Sequence, residues 1–276
     1  MSVVEKIQGV ASTLTPSERK LVESLIESPK QAALGTANDF AREVGVHEAT
    51  ASRLAKKLGF DSYASFRRAL QAEFLPTQEP ATRIDNTLRT GSDPLAMLVE
   101  QETAALVGIR AHVGAAEIED AARELMEAAR LFIFAQGNAE MLALMMVKRF
   151  RRFGCDVTQL SPDPRTLAEQ VLGLRAGDVV LAFAFRRAPK AYAALMRTAA
   201  EAGARTVAVS GTIGPMLSPA PNRLIAVPRA GSPESFQSLT VPMTVCNAIV
   251  LAAAAIDRET AMRRLERLGA LLKRFD

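Results

Sequence analysis

Residues 36–59 read TANDFAREVGVHEATASRLAKKLG, and this stretch predicts two short helices joined by a tight turn at Gly45. Arg53, Lys56 and Lys57 form a basic cluster near the end of the second helix. A helix of this kind can lie in the major groove of DNA while its cations contact the phosphates. The stretch therefore favours a DNA-binding helix-turn-helix, although a small helical bundle with a solvated basic face has the same pattern.

The second helix of this pair is predicted to separate a core-facing side from a DNA-facing side. Thr50, Leu54 and Leu58 follow one another at near-helical spacing, which predicts that they face the core. Short side chains on the opposite side permit close approach to base edges, and cations there contact phosphate. The candidate DNA-binding residues are His47, Glu48, Thr50, Ala51, Ser52, Arg53, Lys56 and Lys57.

Capping signals mark the helix starts in this region. Residues 15–18, TPSE, form a capping box with proline at the first helical position, and Thr36 with Asp39 marks the start of the first helix of the pair. His47 occupies the capping position of the second helix, where serine is a good cap and histidine a poor one. We therefore expect a looser start to that helix, or a contact between His47 and DNA.

Length and charge set broad limits. The 276 residues suffice for one large or two ordinary domains, and with 49% hydrophobic and 23% charged residues the chain can bury sizeable cores. A formal net charge of +4 is too small to indicate a nucleic-acid partner by itself. Within 47–70, however, five cations stand against two anions, so positive charge is concentrated around the second helix.

The sequence gives no sign of a metal site, a cofactor or a membrane segment. Cys155 and Cys246 lack CxxC spacing and the two histidines are far apart, so we expect buried thiols rather than a zinc site or a disulfide. The N-terminus has no long apolar run, and the longest apolar stretch, 248–256, is too short to span a bilayer. These features predict a cytoplasmic protein without a membrane partner.

Beyond a polar, proline-containing linker at 75–93, the pattern changes to an alternation of strands and helices. A buried parallel strand is expected over 131–135, because LFIFA is a short, uninterrupted apolar run. Strands alternating with helices imply a parallel sheet covered by helices on both faces. Further strands are predicted over 155–160, 178–183, 206–210 and 224–227, and helices over 94–109, 115–130, 141–153, 189–202, 235–256 and 257–276, the last basic and amphipathic.

The stretch over 44–70, VGVHEATASRLAKKLGFDSYASFRRAL, resembles the N-terminal domain of the RpiR/MurR family of bacterial transcriptional regulators. The resemblance covers about residues 1–75 and rests on the AT at 49–50, the SR at 52–53 and the KKLGF at 56–60. This chain departs from the family pattern before the recognition helix, where histidine replaces the usual serine.

Residues 177–212, GDVVLAFAFRRAPKAYAALMRTAAEAGARTVAVSGT, resemble the sugar isomerase (SIS) domain, which is the sensor domain of the same family. This second resemblance covers about residues 112–256. Together the two imply an α/β protein, with an N-terminal all-α helix-turn-helix domain and a C-terminal doubly wound parallel-sheet SIS-like domain. The expected limits are 1–76 for the DNA-binding domain, 77–111 for a linker and connecting helix, and 112–276 for the effector-binding and oligomerisation domain.

Ligands in such folds bind at the carboxyl ends of the strands. The family's serines there cradle a sugar phosphate, but this chain has Ala139 in the first loop and Arg186 with Arg187 in the second. Arginine binds phosphate or carboxylate as a planar fork, so we expect a small anionic effector. Solvated or salt-bridged arginines beside a degenerate pocket are the other interpretation. The candidate effector-binding residues are Gly137, Asn138, Ala139, Phe185, Arg186, Arg187, Ser210 and Thr212.

The two resemblances imply a homodimeric or homotetrameric regulator that binds double-stranded operator DNA under the control of that effector. A sugar-phosphate isomerase is a second interpretation, for which Glu140 and Glu234 are candidate general bases. A third is an SIS-like domain that acts only in dimerisation. The missing phosphate-binding serines and the N-terminal DNA-binding module argue against an enzyme.

Overall fold

The structure is a computed structural model that describes residues 3–74, 80–89, 93–186, 188–211, 214, 217–232 and 235–275. The chain divides into two compact units. Unit 1 comprises Met1–Val99 with Gly231–Gln237, and unit 2 comprises Glu100–Ala230 with Ser238–Asp276. The chain first passes from unit 1 to unit 2 inside the segment predicted to connect the domains, and it returns to unit 1 for Gly231–Gln237. The predicted domain limits stay predictions.

Unit 1 is built from helices over the part of the chain that the structure describes. The capping box at 15–18 forms as predicted: Thr15 Oγ1 accepts a hydrogen bond from Glu18 N at 3.3 Å, and Glu18 Oε2 accepts one from Thr15 N at 2.8 Å. The helices are α1 (Val3–Val10), α2 (Pro16–Glu27), α3 (Pro29–Leu34), α4 (Ala37–Glu43), α5 (Glu48–Lys57), α6 (Tyr63–Phe74) and α7 (Pro80–Leu88), and α8 (Pro94–Gly108) begins in this unit.

The apolar stripes of these helices supply the core of unit 1. Leu21 and Leu25 of α2, Phe40 of α4, Leu54 of α5 and Phe66 of α6 are all 1% exposed or less. Leu21 and Leu25 are four residues apart, as on the apolar side of an amphipathic helix, and the burial of Leu54 agrees with its predicted core-facing position.

Unit 2 is a parallel five-stranded sheet with strand order β2-β1-β3-β4-β5. Its strands are β1 (Leu131–Phe134), β2 (Val157–Leu160), β3 (Val179–Ala184), β4 (Arg205–Ser210) and β5 (Arg223–Ala226). Its helices after α8 are α9 (Ala115–Met126), α10 (Glu140–Arg152), α11 (Pro164–Val171), α12 (Tyr192–Glu201), α13 (Thr240–Ile256) and α14 (Arg258–Phe275). The predicted doubly wound architecture is confirmed.

Both faces of the sheet are buried, and successive residues of each strand alternate between them. On β1, Ile133 joins the core formed with α9, α10 and α13, whereas Phe132 and Phe134 join the core formed with α11 and α12. Apolar side chains that point both ways account for the uninterrupted apolar runs of the strands. Cys246 is buried in the first of these cores, and Cys155 is half-buried; both thiols are free.

A buried ion pair joins the start of β1 to the start of β3. The Arg130 guanidinium donates to both carboxylate oxygens of Asp178, at 3.0 and 2.5 Å, and also to Gly173 O at 2.6 Å. Arg175 N donates to the same carboxylate at 2.9 Å. Burial opposes ionisation of Asp178, but the hydrogen bonds from Arg130 and Arg175 N outweigh it and lower the pKa of that carboxyl group.

Three predicted elements differ from the observed ones. The predicted linker contains α7, and α11 was not predicted at all. The long helix α13 starts at Thr240 instead of residue 235. Ser235 Oγ donates to Ser232 O at 2.8 Å, so Ser235 does not cap α13; Ser238 Oγ accepts from Thr240 N at 2.9 Å and stands at that helix start.

No single helix among the described residues has the length and apolarity needed to cross a bilayer, and the one helix pair that passes by composition, α13 with α14, is bent by 107°. No group of three or more His, Cys, Asp or Glu side chains within the same residues is arranged to hold a metal ion.

Candidate functional sites

The turn between α4 and α5 has the geometry of a helix-turn-helix. Gly45 adopts φ +69°, a conformation that residues with a side chain rarely take, and nothing lies within 4 Å of the position a Cβ would occupy. Its N–H donates to Arg42 O at 3.2 Å, and Val46 N donates to Ala41 O at 2.9 Å. These bonds close the C-terminus of α4 and redirect the chain into α5.

His47 caps α5, contrary to the looser start that its poor capping propensity predicted. Its Nδ1 accepts a hydrogen bond from Ala49 N at 3.2 Å, and its backbone is extended at φ −76° and ψ 142°. A ring nitrogen accepts only when it carries no hydrogen, so this contact uses the tautomer with its hydrogen on Nε2. The ring is exposed.

The exposed side of α5 is rotated relative to the predicted one. Ala51, predicted to face DNA, is fully buried at 0% exposure, and Thr50 is buried at 8%. Ala49, absent from the predicted contact set, is exposed. Alanine is only weakly hydrophobic, so the sequence could assign Ala51 to the buried or the exposed side of α5 only from the residues around it. The outward face of α5 carries Glu48, Ala49, Ser52, Arg53 and Lys56, at three- and four-residue spacing.

Two of the predicted cations on this helix have different surroundings. Arg53 is exposed, and its Nε donates to Ala49 O at 3.2 Å, so its side chain lies along the outward face. Lys57 instead turns inward: its Nζ contacts Thr13 O at 2.6 Å and Glu18 Oε2 at 2.8 Å, with the Glu18 side chain 10% exposed. Lys57 therefore anchors α5 to the N-terminus of α2, and its predicted contact with DNA stays a prediction.

A further lysine holds the C-terminus of α5. Lys6 Nζ donates to Leu58 O at 3.1 Å and lies 4.5 Å from the centre of the Phe60 ring. An ammonium group at a helix C-terminus satisfies a free carbonyl and complements the helix dipole. With Lys57, this contact fixes both the position and the direction of α5.

In unit 2, the strand order places a topological switch point between β1 and β3, where ligands of such folds bind. Phe134 and Ala182 are register partners, so the loops that follow them leave the sheet side by side. Ala184 is in turn the partner of Ser210 on β4. The segments predicted from the sequence thus share one edge of the sheet.

The loop after β1 is a tight turn in which the Gly137 amide donates a hydrogen bond to a side chain of the same loop. Gly137 has φ +66° and opens a short 3₁₀ turn that leads into α10. Its N–H donates to the Glu140 Oε1 carboxylate at 2.8 Å. Gly137 and Asn138 are exposed, whereas Ala139 is buried at 9% and offers only its backbone. The Gly137 amide therefore already has a carboxylate partner within the protein.

The loop after β3 is apolar at its base. Phe185 is 7% exposed and stacks on Phe183, with ring centres 6.2 Å apart. Arg229, which sequence reasoning missed, lies with its guanidinium carbon 5.4 Å from the centre of the Phe185 ring and donates to Ser238 O at 2.5 Å. Its position three residues after β5 could have indicated this, because the carboxyl ends of parallel strands lie at the same edge of the sheet. Arg186, the residue after Phe185, is half-buried.

The remaining predicted effector residues fall into two groups. Ser210 is fully buried and its hydroxyl donates to Ala184 O, so that hydroxyl has a partner inside the sheet, and its assignment to the effector site stays a prediction. Gly211 follows it, and a Cβ there would approach Phe185 O at 3.2 Å, which shows how closely the two backbones run. Arg187 and Thr212 lie outside the described residues.

Comparison with known proteins agrees with this organisation. Residues 1–77 match the family model described as the helix-turn-helix domain of the rpiR family. The bifunctional protein glk of Burkholderia orbicola is 26% identical over 216 residues, which is 78% of this chain but only 33% of that protein. An uncharacterised HTH-type transcriptional regulator of Haemophilus influenzae is 23% identical over 77% of this chain and 75% of its own length.

Two solved structures share the fold at low identity. The Vibrio vulnificus NanR protein, solved with ManNAc-6P, has a TM-score of 0.58 and 13% identity over 100% of this chain and 99% of its own. The sugar isomerase domain of the RpiR transcription factor from Sphaerobacter thermophilus has a TM-score of 0.58 and 20% identity over 65% of this chain and 99% of its own. Residues 1–77 are therefore a helix-turn-helix domain of the rpiR family, and unit 2 shares its fold with that solved sugar isomerase domain.

Proposed function

We propose that this protein is a cytoplasmic transcriptional regulator that binds double-stranded operator DNA, and that a small anionic metabolite, a sugar phosphate or a carboxylate, controls its operator affinity. The observation that carries the proposal is the outward face of α5. This face combines short side chains with Arg53 and Lys56. Lys6, which binds Leu58 O, and Lys57, which binds Glu18, hold the helix in place.

Each group on α5 has a distinct role in the proposed complex. Ala49 and Ser52 permit close approach to base edges, and the Ser52 hydroxyl can donate or accept there. Arg53 and Lys56 contact phosphates, which gives affinity and a salt dependence. His47 caps the helix, so its exposed ring meets the DNA backbone only as a secondary contact.

The proposed effector site lies at the carboxyl edge of β1 and β3. Asn138, Arg186 and Arg187 supply polar groups, and Phe185 forms an apolar wall under the Arg229 guanidinium. NanR was solved with ManNAc-6P, which supports a phosphorylated sugar as one candidate class. A ligand acts on operator affinity only if it binds the DNA-competent and incompetent states unequally.

An isomerase is the weaker candidate. Isomerisation requires a general base beside the reacting carbons. Glu140, the described candidate, accepts a hydrogen bond from Gly137 N at 2.8 Å and is thereby held within its own loop. Measurable turnover of sugar phosphates that Glu140→Gln abolishes would overturn the choice of a regulator.

Selection of operator sequences with the purified full chain, followed by affinity measurement, tests the DNA-binding role. We expect Arg53→Ala with Lys56→Ala to weaken operator binding by about 2 kcal/mol and to lower the salt slope by about two, because two phosphate contacts are lost. Arg165→Ala is the matched control, since Arg165 is a 90% exposed cation on unit 2. Equal losses in the double variant and the control would contradict the assignment.

A further inference from the structure

Glu102 of α8 carries a carboxylate oxygen that the proposed function does not use. The side chain is half-buried, and its Oε1 accepts a hydrogen bond from Ser238 Oγ. Its Oε2 is buried, and no group in the part of the chain that the structure describes donates a hydrogen bond to it. A buried carboxylate oxygen without a donor is costly, and native proteins keep few of them. This oxygen is therefore a candidate for contact with a ligand.

Ser238 connects this carboxylate to the edge of the sheet at which the effector site is proposed. Its backbone oxygen accepts a hydrogen bond from Arg229 Nη2 at 2.5 Å, and the Arg229 guanidinium carbon lies 5.4 Å from the centre of the Phe185 ring. Phe185 directly follows β3, so the contacts extend to the carboxyl end of that strand. Glu102 and Arg229 thus bind two atoms of one residue, and all four residues belong to unit 2.

The Ser238 hydroxyl sets the direction of the Glu102 carboxylate. An ionised carboxylate only accepts hydrogen bonds, so the hydroxyl hydrogen of Ser238 points at Oε1. The same hydroxyl oxygen accepts from Thr240 N at 2.9 Å, which ties the serine to the start of α13. The protein therefore holds one oxygen of the carboxylate, and the capacity of Oε2 to accept remains.

The charges of this cluster select the chemistry of a ligand. A carboxylate oxygen binds an ammonium group through a charge-assisted hydrogen bond, which is stronger than a bond between neutral groups. It repels a phosphate or a second carboxylate, whereas the guanidinium groups of Arg186 and Arg229 attract them. A molecule with both an amine and an anionic group therefore suits this edge better than one with an anionic group alone.

We infer that the effector carries a primary amine as well as its anionic group, and that Glu102 Oε2 binds the ammonium. The inference rests on the proposed function and adds the class of effector to it, an amino acid or an amino-sugar phosphate. Both classes supply the same ammonium group. Glu102 then distinguishes an amine from the hydroxyl analogue of the same size.

Isothermal titration calorimetry of the full chain with three matched pairs of ligands tests this assignment. The pairs are glucosamine-6-phosphate with glucose-6-phosphate, L-glutamate with L-2-hydroxyglutarate, and L-phenylalanine with L-phenyllactate. We expect one amine to bind at least about tenfold more tightly than its hydroxyl analogue, because the hydroxyl forms the weaker bond with the carboxylate. The pair that shows the preference distinguishes an amino sugar from an amino acid.

Glu102→Gln tests the residue itself. It keeps an oxygen for the Ser238 hydroxyl but removes the charge, so the chain should stay folded, as circular dichroism checks, and lose the preference for the amine. Glu100→Gln is the matched control, since Glu100 is exposed on the same helix and should keep the preference. A purely structural role of Glu102 would lower both affinities of a pair equally and leave their ratio unchanged, which would overturn the inference.

The inference and the proposed function fail in different ways. Equal binding of amine and hydroxyl analogue, no binding of any of the three amines, or a preference that survives in Glu102→Gln would overturn the inference alone, because an anionic effector without an amine could still act. Failure of the proposed function would appear separately, as an operator affinity that no bound ligand alters.

Discussion

At the scale of single residues, His47 shows how context can give a poor capping residue a capping role. Ala49 N reaches His47 Nδ1 at 3.2 Å because the backbone of His47 is extended and its ring folds over the first turn of α5. Propensity scales average over contexts, so they undervalue a residue that a single turn geometry positions well. His47 therefore caps α5 through Nδ1, and the rest of its ring stays exposed.

His47→Ala should lower the free energy of unfolding by about 1 kcal/mol, because the Ala49 amide loses its acceptor at the helix N-terminus. His47→Ser should retain most of this stability, since serine is a good cap. Urea unfolding of the three proteins measures the order. An alanine variant as stable as the serine variant would show that the imidazole contributes nothing to the cap.

Lys56 and Lys57 are sequence neighbours with opposite expected behaviour. Lys57→Met should reduce stability and operator affinity but leave the salt slope of DNA binding unchanged, because Lys57 Nζ is bonded to Glu18 and Thr13. Lys56→Met should lower that slope by about one. Affinity measurements across a salt series distinguish them, and equal slope changes would show that Lys57 leaves Glu18 to bind phosphate.

At the scale of elements, the strands and long helices of unit 2 could be predicted within a few residues, because buried apolar runs define them. The short helix α11 was missed, although Asp163 Oδ1 accepts from Thr166 N at 2.9 Å and Pro164 follows it as a start signal. The eight residues of α11 contain few large apolar side chains, so their sequence shows too little helical periodicity to predict the helix. Ala51 was misplaced for a related reason, since a methyl group contributes little to a helical pattern.

The ion pair between Arg130 and Asp178, which joins the starts of β1 and β3, leads to a prediction about stability. Asp178→Asn should lower the free energy of unfolding by about 3 kcal/mol at neutral pH, because it leaves the Arg130 guanidinium without its partner in a largely buried site. Glu169→Gln is the control, since Glu169 is 70% exposed in its pair with Arg165. Urea unfolding measures both variants, and equal small losses would contradict the role of the buried pair.

The pH dependence follows from the lowered pKa of Asp178. A carboxyl group whose pKa is lower in the folded state stabilises that state above its unfolded pKa, which is about 4. The contribution is lost as the pH falls through the folded-state pKa. The difference between wild type and Asp178→Asn should therefore be constant near neutral pH and shrink below about pH 4.

At the scale of the whole molecule, the two units were predictable because each carries its own periodicity, three to four residues in unit 1 and strand-helix alternation in unit 2. The effector chemistry was less predictable. The Ser210 hydroxyl is hydrogen-bonded inside the sheet, and Arg229 reaches the Phe185 ring from beyond β5. The contacts of Ser210 and Arg229 depend on which strand ends are neighbours, and the strand order cannot be deduced from short stretches of sequence.

Arg186→Ala combined with Arg187→Ala should abolish the effector's influence on operator affinity and leave affinity without effector unchanged, because the substitutions lie outside the helix-turn-helix. Operator binding measured with and without sugar phosphates and carboxylates provides the test. Arg197→Ala, an exposed cation on α12, is the control. A double variant that still responds would place the effector elsewhere.

The Glu18 carboxylate performs two tasks with one group: it completes the cap of α2 through Thr15 N, and it receives Lys57 from α5. Loss of either partner alters the position of the oxygen that serves the other. The folding of the first long helix and the placement of α5 are therefore thermodynamically coupled. Thr15→Ala removes the Thr15 Oγ1 acceptor of Glu18 N, which is the other half of the same capping box, so this change and Lys57→Met should have non-additive effects on unfolding. Under the proposed function, a chain that loses this cap also loses the orientation in which α5 meets DNA.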